Sequence, residues 1–86
     1  MTTVLIFHQV DDVDHWLAST KRAEVFGPMG ITVRTFVEQV PDHRVGLVVE
    51  APDLDTFQRA IGSQAAAEAM AADGVRPDTL VVLVEQ

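Results

Sequence analysis

The sequence has no cysteine, which excludes disulfides, thiolate metal sites and cysteine nucleophiles. The absence fits a reducing, cytoplasmic setting. Positive charge is scarce as well: six Lys and Arg stand against thirteen Asp and Glu, for a net charge of −7. So acidic a chain repels phosphate backbones, and Arg22, Arg34, Arg44, Arg59 and Arg76 are scattered along it. Nucleic acid is therefore not an expected partner. Long apolar runs are missing too, none approaching the ~18–20 residues of a membrane span, and no membrane association is expected. The opening MTTVLIFHQV lacks a basic stretch before its short apolar run and a small-residue cleavage site after it, so no signal peptide is expected.

What remains is the composition of an ordered globular chain, 48% hydrophobic and 22% charged over 86 residues. Residues 1–86 are read as a single domain. A domain of this size buries only about 60–65% of its unfolded surface, a thin margin that oligomerisation often supplements.

Thr3 to Gln9 is β-branched and aromatic, apolar on both alternating faces, and reads as a strand. Val13 to Phe26 carries a helical stripe of Val13, Trp16, Leu17, Ala23 and Phe26, stopped at Gly27-Pro28. Ile31 to Val40 and Arg44 to Ala51 alternate as two strands around the tripeptide PDH, where Pro41 presets φ and His43 can tolerate a left-handed conformation. A second helix spans Asp53 to Ile61 with Leu54, Phe57, Ala60 and Ile61 inward. Ser63 caps a short helix from Gln64 to Asp73 that ends at Gly74, and Thr79 to Glu85 forms the last strand. The order β-α-β-β-α-β is the split βαβ arrangement of α+β, ferredoxin-like folds, with one antiparallel sheet and its helices on one face. The first and last strands are apolar on both sides, which a sheet with one wet face does not need. Another copy of the chain is the expected cover.

The stretch FHQVDDVDHW holds two histidines and three aspartates in ten residues. An internal repeat accounts for most of it. DDVDHWLAS aligns with PDLDTFQRA, so that Asp12 and Asp14 match Asp53 and Asp55, and Trp16 matches Phe57. In each copy an aspartate caps a helix, a second acid complements the helix dipole, and an aromatic one turn later packs onto the sheet. Thr56 and Val49 stand where His15 and His8 stand, so the acids are helix-starting devices and no metal site is expected. His15 is expected to face solvent and His43 to sit in a turn.

His8 remains, alone on an apolar face with Val4, Ile6 and Val10. It is either a hydrogen-bonded structural histidine or a general base in a pocket. Trp16, Phe26, Met29, Phe57 and Met70 are core candidates first, and become pocket walls only if helices and sheet do not close completely; Trp16, Phe26, Phe57 and Met70 are the expected ligand-binding residues. A three-residue loop would pair Val37 with Leu47 and place Arg34 opposite Glu50, as a cross-strand ion pair or an anion-binding group.

FHQVDDVDHW, VRTFVEQVPDHRVGLVVEAPDLDTF and EAMAADGVRPDTLVVL together resemble the dimeric α+β barrel superfamily across nearly the whole chain. The resemblance implies homodimers whose sheets face each other, and small apolar pockets between each sheet and its helices. It also implies cofactor-independent monooxygenases, cyclases and isomerases among the candidate activities. The sequence has no asparagine and no tyrosine, so the Asn-containing and Tyr/His sites of several branches do not carry over. His8 is the residue that matches a functional position. The expectation is a homodimer with no cofactor, acting on a small aromatic or polyketide-like molecule through His8; the alternative is a non-catalytic ligand-binding or structural dimer.

Overall fold

The computed structural model describes residues 1–39 and 43–86. A single four-stranded antiparallel sheet carries all its helices on one side, as expected. Strands β1 (Thr2–Val10), β2 (Thr32–Val37), β3 (Arg44–Ala51) and β4 (Val75–Val84) are ordered β2-β3-β1-β4. Helices α1 (Val13–Ala18) and α2 (Lys21–Phe26) link β1 to β2, while α3 (Leu54–Ile61) and α4 (Gln64–Ala72) link β3 to β4. The chain thus runs β-α-α-β-β-α-α-β, and each crossover is a pair of short helices.

The expected single helix from Val13 to Phe26 is broken at Ser19. There the backbone turns extended (φ −68°, ψ 138°), and the Ser19 Oγ accepts from the Lys21 N–H at 3.1 Å. A serine hydroxyl that serves the backbone locally competes with helix continuation. Thr20 stands next to it and donates to Glu24 Oε2 at 2.6 Å. Breaking the helix reorients α2 relative to α1, which later matters for the site. Leu17 and Leu54, expected inward, are 45% and 37% exposed. Trp16 and Phe57 take the inward direction on those short helices; Leu17 lies roughly 100° around the axis from Trp16, and Leu54, three residues before Phe57, roughly 60° from it in the first turn.

The hairpin register also differs from expectation. Val37 pairs with Val45, Thr35 with Leu47 and Arg34 with Val48, while Thr32 stands opposite Glu50. The Glu38 N–H donates to the Arg44 carbonyl at 3.2 Å, and the Arg44 Nε donates to Glu38 Oε2 at 2.6 Å. That pair closes the hairpin two residues sooner than a three-residue loop would. A slip of two leaves every side chain on its expected face. His43 has φ 66°, the left-handed conformation that a histidine can tolerate in a turn, and its carbonyl accepts from the Val10 N–H at 2.9 Å. The turn expected at Pro41 lies outside the described residues.

β4 begins four residues earlier than expected and is irregular. Its register against β1 shifts between Phe7 and Gln9. Thr79 bridges the irregularity: its Oγ1 accepts from the Gln9 N–H at 2.8 Å and donates to the Arg76 carbonyl at 2.6 Å.

Alternation then sorts the sheet. Val4, Ile6, His8 and Val10 face the helices together with Val45, Leu47 and Val49, and they form the core with Trp16, Phe26 and Phe57. The opposite face carries Leu5, Phe7, Phe36, Val81 and Leu83, which are between 38% and 52% exposed. Gly46 lies among them, and a Cβ there would sit 3.4 Å from the Phe7 ring. No helix of the described residues is long and apolar enough to cross a membrane.

Candidate functional site

The site grows from the end of β1 and the break between α1 and α2. Asp12 caps α1, its Oδ1 accepting from the His15 N–H at 3.1 Å, and this starts the helix so that Trp16 drops onto the sheet. The His8 imidazole meets the Trp16 indole edge to face, with ring centroids 5.7 Å apart and planes at 79°. Where α1 stops, the Trp16 carbonyl accepts from the Ser19 N–H at 3.3 Å in place of a donor four residues on. Arg22 adds a second donor from α2, its Nη2 donating to that carbonyl at 2.8 Å. The same guanidinium stacks on the indole, with Cζ 4.2 Å from the ring centroid. A cation over an indole face is a favourable arrangement. Trp16 is therefore in contact with two nitrogen-bearing groups.

A fourth residue arrives from α4. Asp73 is the C-cap of that helix and is only 3% exposed; with His8, at 4%, it is one of two buried polar side chains among the described residues. Its Oδ2 lies 3.6 Å from Arg22 Nη1, close enough for ion pairing and too far for a hydrogen bond. Nη1 is buried and has no hydrogen-bond partner. Gly74, in the left-handed conformation at φ 73°, turns the chain straight from Asp73 into β4. A Cβ at Gly74 would sit 3.4 Å from that of Asp11.

Between these groups lies a cavity in which the centre of a water molecule can range over about 50 Å³. At roughly 10–15 Å³ per water on that measure, it holds about three to five waters. His8, Trp16, Arg22, Phe26, Met70 and Asp73 are among its walls. Four of the five expected site residues thus converge there. Phe57 does not: it is 2% exposed and packed within the closed core, away from the cavity lining.

His8 is held below its ordinary pKa of 6.5, first by burial, with the Arg22 charge acting in the same direction and the Gln9 carbonyl opposing it. Its Nδ1 lies 3.3 Å from the Gln9 carbonyl oxygen. A carbonyl only accepts, so Nδ1 carries the hydrogen and Nε2 keeps the lone pair. Burial likewise lowers the pKa of Arg22, against the pull of Asp73. The cavity therefore combines a neutral base, a cationic donor and otherwise largely apolar walls.

The other histidines stand apart. His15 is exposed as expected, and its Nε2 donates to the Ala72 carbonyl at 2.8 Å. Among the described residues no three His, Asp or Glu side chains converge as a metal site. Arg34 lies on the helix-free face opposite Val48 and enters no ion pair among the described residues. A second, open hollow of about 640 Å³ lies against that face, with Phe7, Phe36, Gly46 and Val81 in its lining.

Arg22 and Asp73 were not selected by sequence reasoning. Arg22 looked like one of several scattered cations. Asp73 did carry a signal, because an acid at a helix C-terminus opposes the dipole and so has another reason to be there.

No family model and no curated protein matches the sequence. Solved structures do match the fold. A variant of the cofactor-independent oxygenase SnoaB from Streptomyces nogalater is 16% identical with a TM-score of 0.73, covering 99% of this chain and 90% of that one. A dimeric ferredoxin-like protein of unknown function from Jannaschia sp. CCS1 is 11% identical with a TM-score of 0.71, covering 100% and 99%. An antibiotic biosynthesis monooxygenase is 12% identical with a TM-score of 0.68, covering 100% and 97%. The chain has the ferredoxin-like α+β fold of these proteins.

Proposed function

We propose that the protein is a cytoplasmic homodimer whose protomers each enclose a small ligand pocket, and that His8 acts there as a general base in cofactor-independent chemistry. The class is a cyclase, isomerase or monooxygenase acting on a small aromatic or polyketide-like molecule. The observation that carries this reading is the His8 imidazole, its pKa lowered by burial and its Nδ1 against the Gln9 carbonyl, in the wall of an apolar cavity. A neutral imidazole in such a place accepts a proton from an acidic C–H or a phenolic O–H. The solved monooxygenases of similar fold support the chemistry by analogy alone.

Dimerisation is supported by the apolar helix-free face, where Leu5, Phe7, Phe36, Val81 and Leu83 lie exposed together. Contiguous apolar surface of this kind marks an interaction face. Sedimentation equilibrium at micromolar concentration is expected to give a dimer, and Val81→Asp is expected to dissociate it. A wild-type chain that stays folded and monomeric overturns that part.

The catalytic part is tested by proton exchange and oxygen uptake. Small phenols and cyclic ketones are incubated with the protein in deuterated, aerated buffer. Exchange at the acidic C–H, or oxygen consumption, is expected above background and is lost in His8→Ala while the dimer persists. Ligand binding without exchange or oxygen uptake would favour the second reading, a dimer that holds a ligand without transforming it. The small cavity volume is what keeps that reading in play.

A further inference from the structure

We infer that α2 is a gate over the cavity, parting from α4 along the seam between Val25 and Ala69 to admit a ligand. This rests on the cavity being a ligand pocket and adds the way in. None of the residues lining the cavity is exposed, and Ile6, His8, Trp16, Phe26, Leu47 and Asp73 are buried outright. A ring-sized ligand therefore needs a wall to yield.

Two surface grooves mark the thin wall. One, of about 660 Å³, runs outside between α2 and α4, and Val25 and Ala69 line both it and the cavity. The other, of about 420 Å³, lies on the β2 side of α2, and Arg22 and Phe26 line both it and the cavity. On each side of α2 a single layer of side chains separates inside from outside.

α2 is also the least secured of the helices. Asp12, Asp53 and Ser63 cap α1, α3 and α4 through their side chains, whereas Thr20 makes no such bond to α2. Six residues are too few for a helix to persist without tertiary support, and of these six only Phe26 is buried. The extended Ser19 before α2 and the left-handed Gly30 after it are element-terminal positions of the kind that absorb a swing. Both α1 and α2 reach the C-terminal end of α4, but unequally. His15 of α1 donates to the Ala72 carbonyl at 2.8 Å. Among the described residues the polar tie of α2 to α4 is the 3.6 Å pair of Arg22 Nη1 and Asp73. Nη1 is buried and has no hydrogen-bond partner. A buried unmatched donor penalises the closed arrangement, and parting α2 from α4 brings that nitrogen to water.

The chain has no cysteine and one tryptophan, Trp16, which lines the cavity. Val25→Cys/Ala69→Cys therefore offers a single disulfide, across the seam, and Trp16 fluorescence reports what reaches the cavity. Nitrobenzene, one ring that quenches indole emission on contact, is mixed by stopped flow with the reduced and the oxidised forms of this variant. Oxidation is expected to slow association about tenfold or more, and a reductant to restore it. Equal rates in the two forms overturn the gate while the pocket reading stands. Hydrogen exchange on the wild-type chain needs neither a variant nor a ligand. The helix-bonded α2 amides from Glu24 to Gly27 are expected to exchange about tenfold faster than those of α3 and α4. Protection equal to theirs overturns the gate as well. If nitrobenzene quenches neither the wild type nor the reduced variant, the pocket reading falls and the gate with it.

Discussion

In the first half of the fold, Asp12 caps α1 and Trp16 drops onto the sheet; in the second, Asp53 caps α3 and Phe57 does the same. Each short helix is followed by another, so the halves share one construction. They part at the second helix of each pair. At the offset that aligns Trp16 with Phe57, Arg22 falls on Ser63. Ser63 caps α4, accepting from the Ala66 N–H at 3.1 Å, and among the described residues no cation stacks on the Phe57 ring. Arg22 instead stacks on Trp16 and reaches across to Asp73. The same scaffold thus closes into plain core on one side and holds an incompletely satisfied polar cluster on the other. Candidate chemistry belongs to the half in which local structural economy is broken.

The largest expected effects come from the two aromatics. Trp16→Ala and Phe57→Ala should each destabilise by about 3–5 kcal/mol, read from urea unfolding at one fixed protomer concentration. They should differ in ligand behaviour, with binding of a small apolar ring such as toluene lost in Trp16→Ala, which lines the cavity, and retained by whatever fraction of Phe57→Ala stays folded. The reverse pattern would break the comparison.

Next comes the ion pair. Arg22→Met leaves Asp73 buried without its partner and should cost about 3 kcal/mol, while adding Asp73→Leu should recover most of that loss. A double-mutant cycle showing simple additivity would mean that the 3.6 Å pair carries no coupling. At the aligned position Ser63→Ala should cost about 1 kcal/mol, as an ordinary cap.

The caps themselves are expected to matter less. Asp12→Ala should cost about 1 kcal/mol. Asp53→Ala should be the more disruptive of the two, because its Oδ1 accepts from Thr56 at 2.7 Å against 3.1 Å for Asp12. Thermal unfolding of the two variants side by side checks the order.

Acidity should separate the halves as well. The folded pKa of His8 is depressed, so its contribution is complete above 6.5 and is lost as pH falls from there through the folded value. The charged groups facing it are Arg22, which adds to the depression, and Asp73 behind Arg22. Asp53 is held below its ordinary 3.8 chiefly by the Thr56 backbone N–H. Its contribution is present above 3.8 and lost only in stronger acid. His8→Phe should therefore flatten the stability profile just below pH 6.5 and leave the acid limb in place. An unchanged slope there would remove His8 from the account.

Much of this was legible in the residues. The alternation of Val4, Ile6, His8 and Val10 put the histidine on the helix side, and the aspartate repeat separated helix caps from a metal motif. The helix break at Ser19 was less visible, because a continuous apolar stripe from Val13 to Phe26 outweighs two hydroxyl residues in any periodicity count. Arg22 was hidden for the same reason: its role exists only once the broken helix exposes the Trp16 carbonyl. The hairpin register escaped because loop length alone does not fix it; the Glu38–Arg44 pair does. Phe57 was read as core first and as a pocket wall only where helices and sheet fail to close, and it stands in the closed core.

The central place of β1 has a consequence for how the chain is made. It is the first strand of the fold, yet one of its edges is filled by β4, the last. A ribosome exposes β1, β2 and β3 in turn, and these can pair while the row of β1 amides and carbonyls on the far side stays open. Leu5 and Phe7 flank that row on the side that no helix covers. Unpaired strand edges beside apolar side chains are where nascent chains stick to one another. Release of β4 is therefore the step that ends the risk, and a truncation that removes it would leave β1 as an adhesive edge.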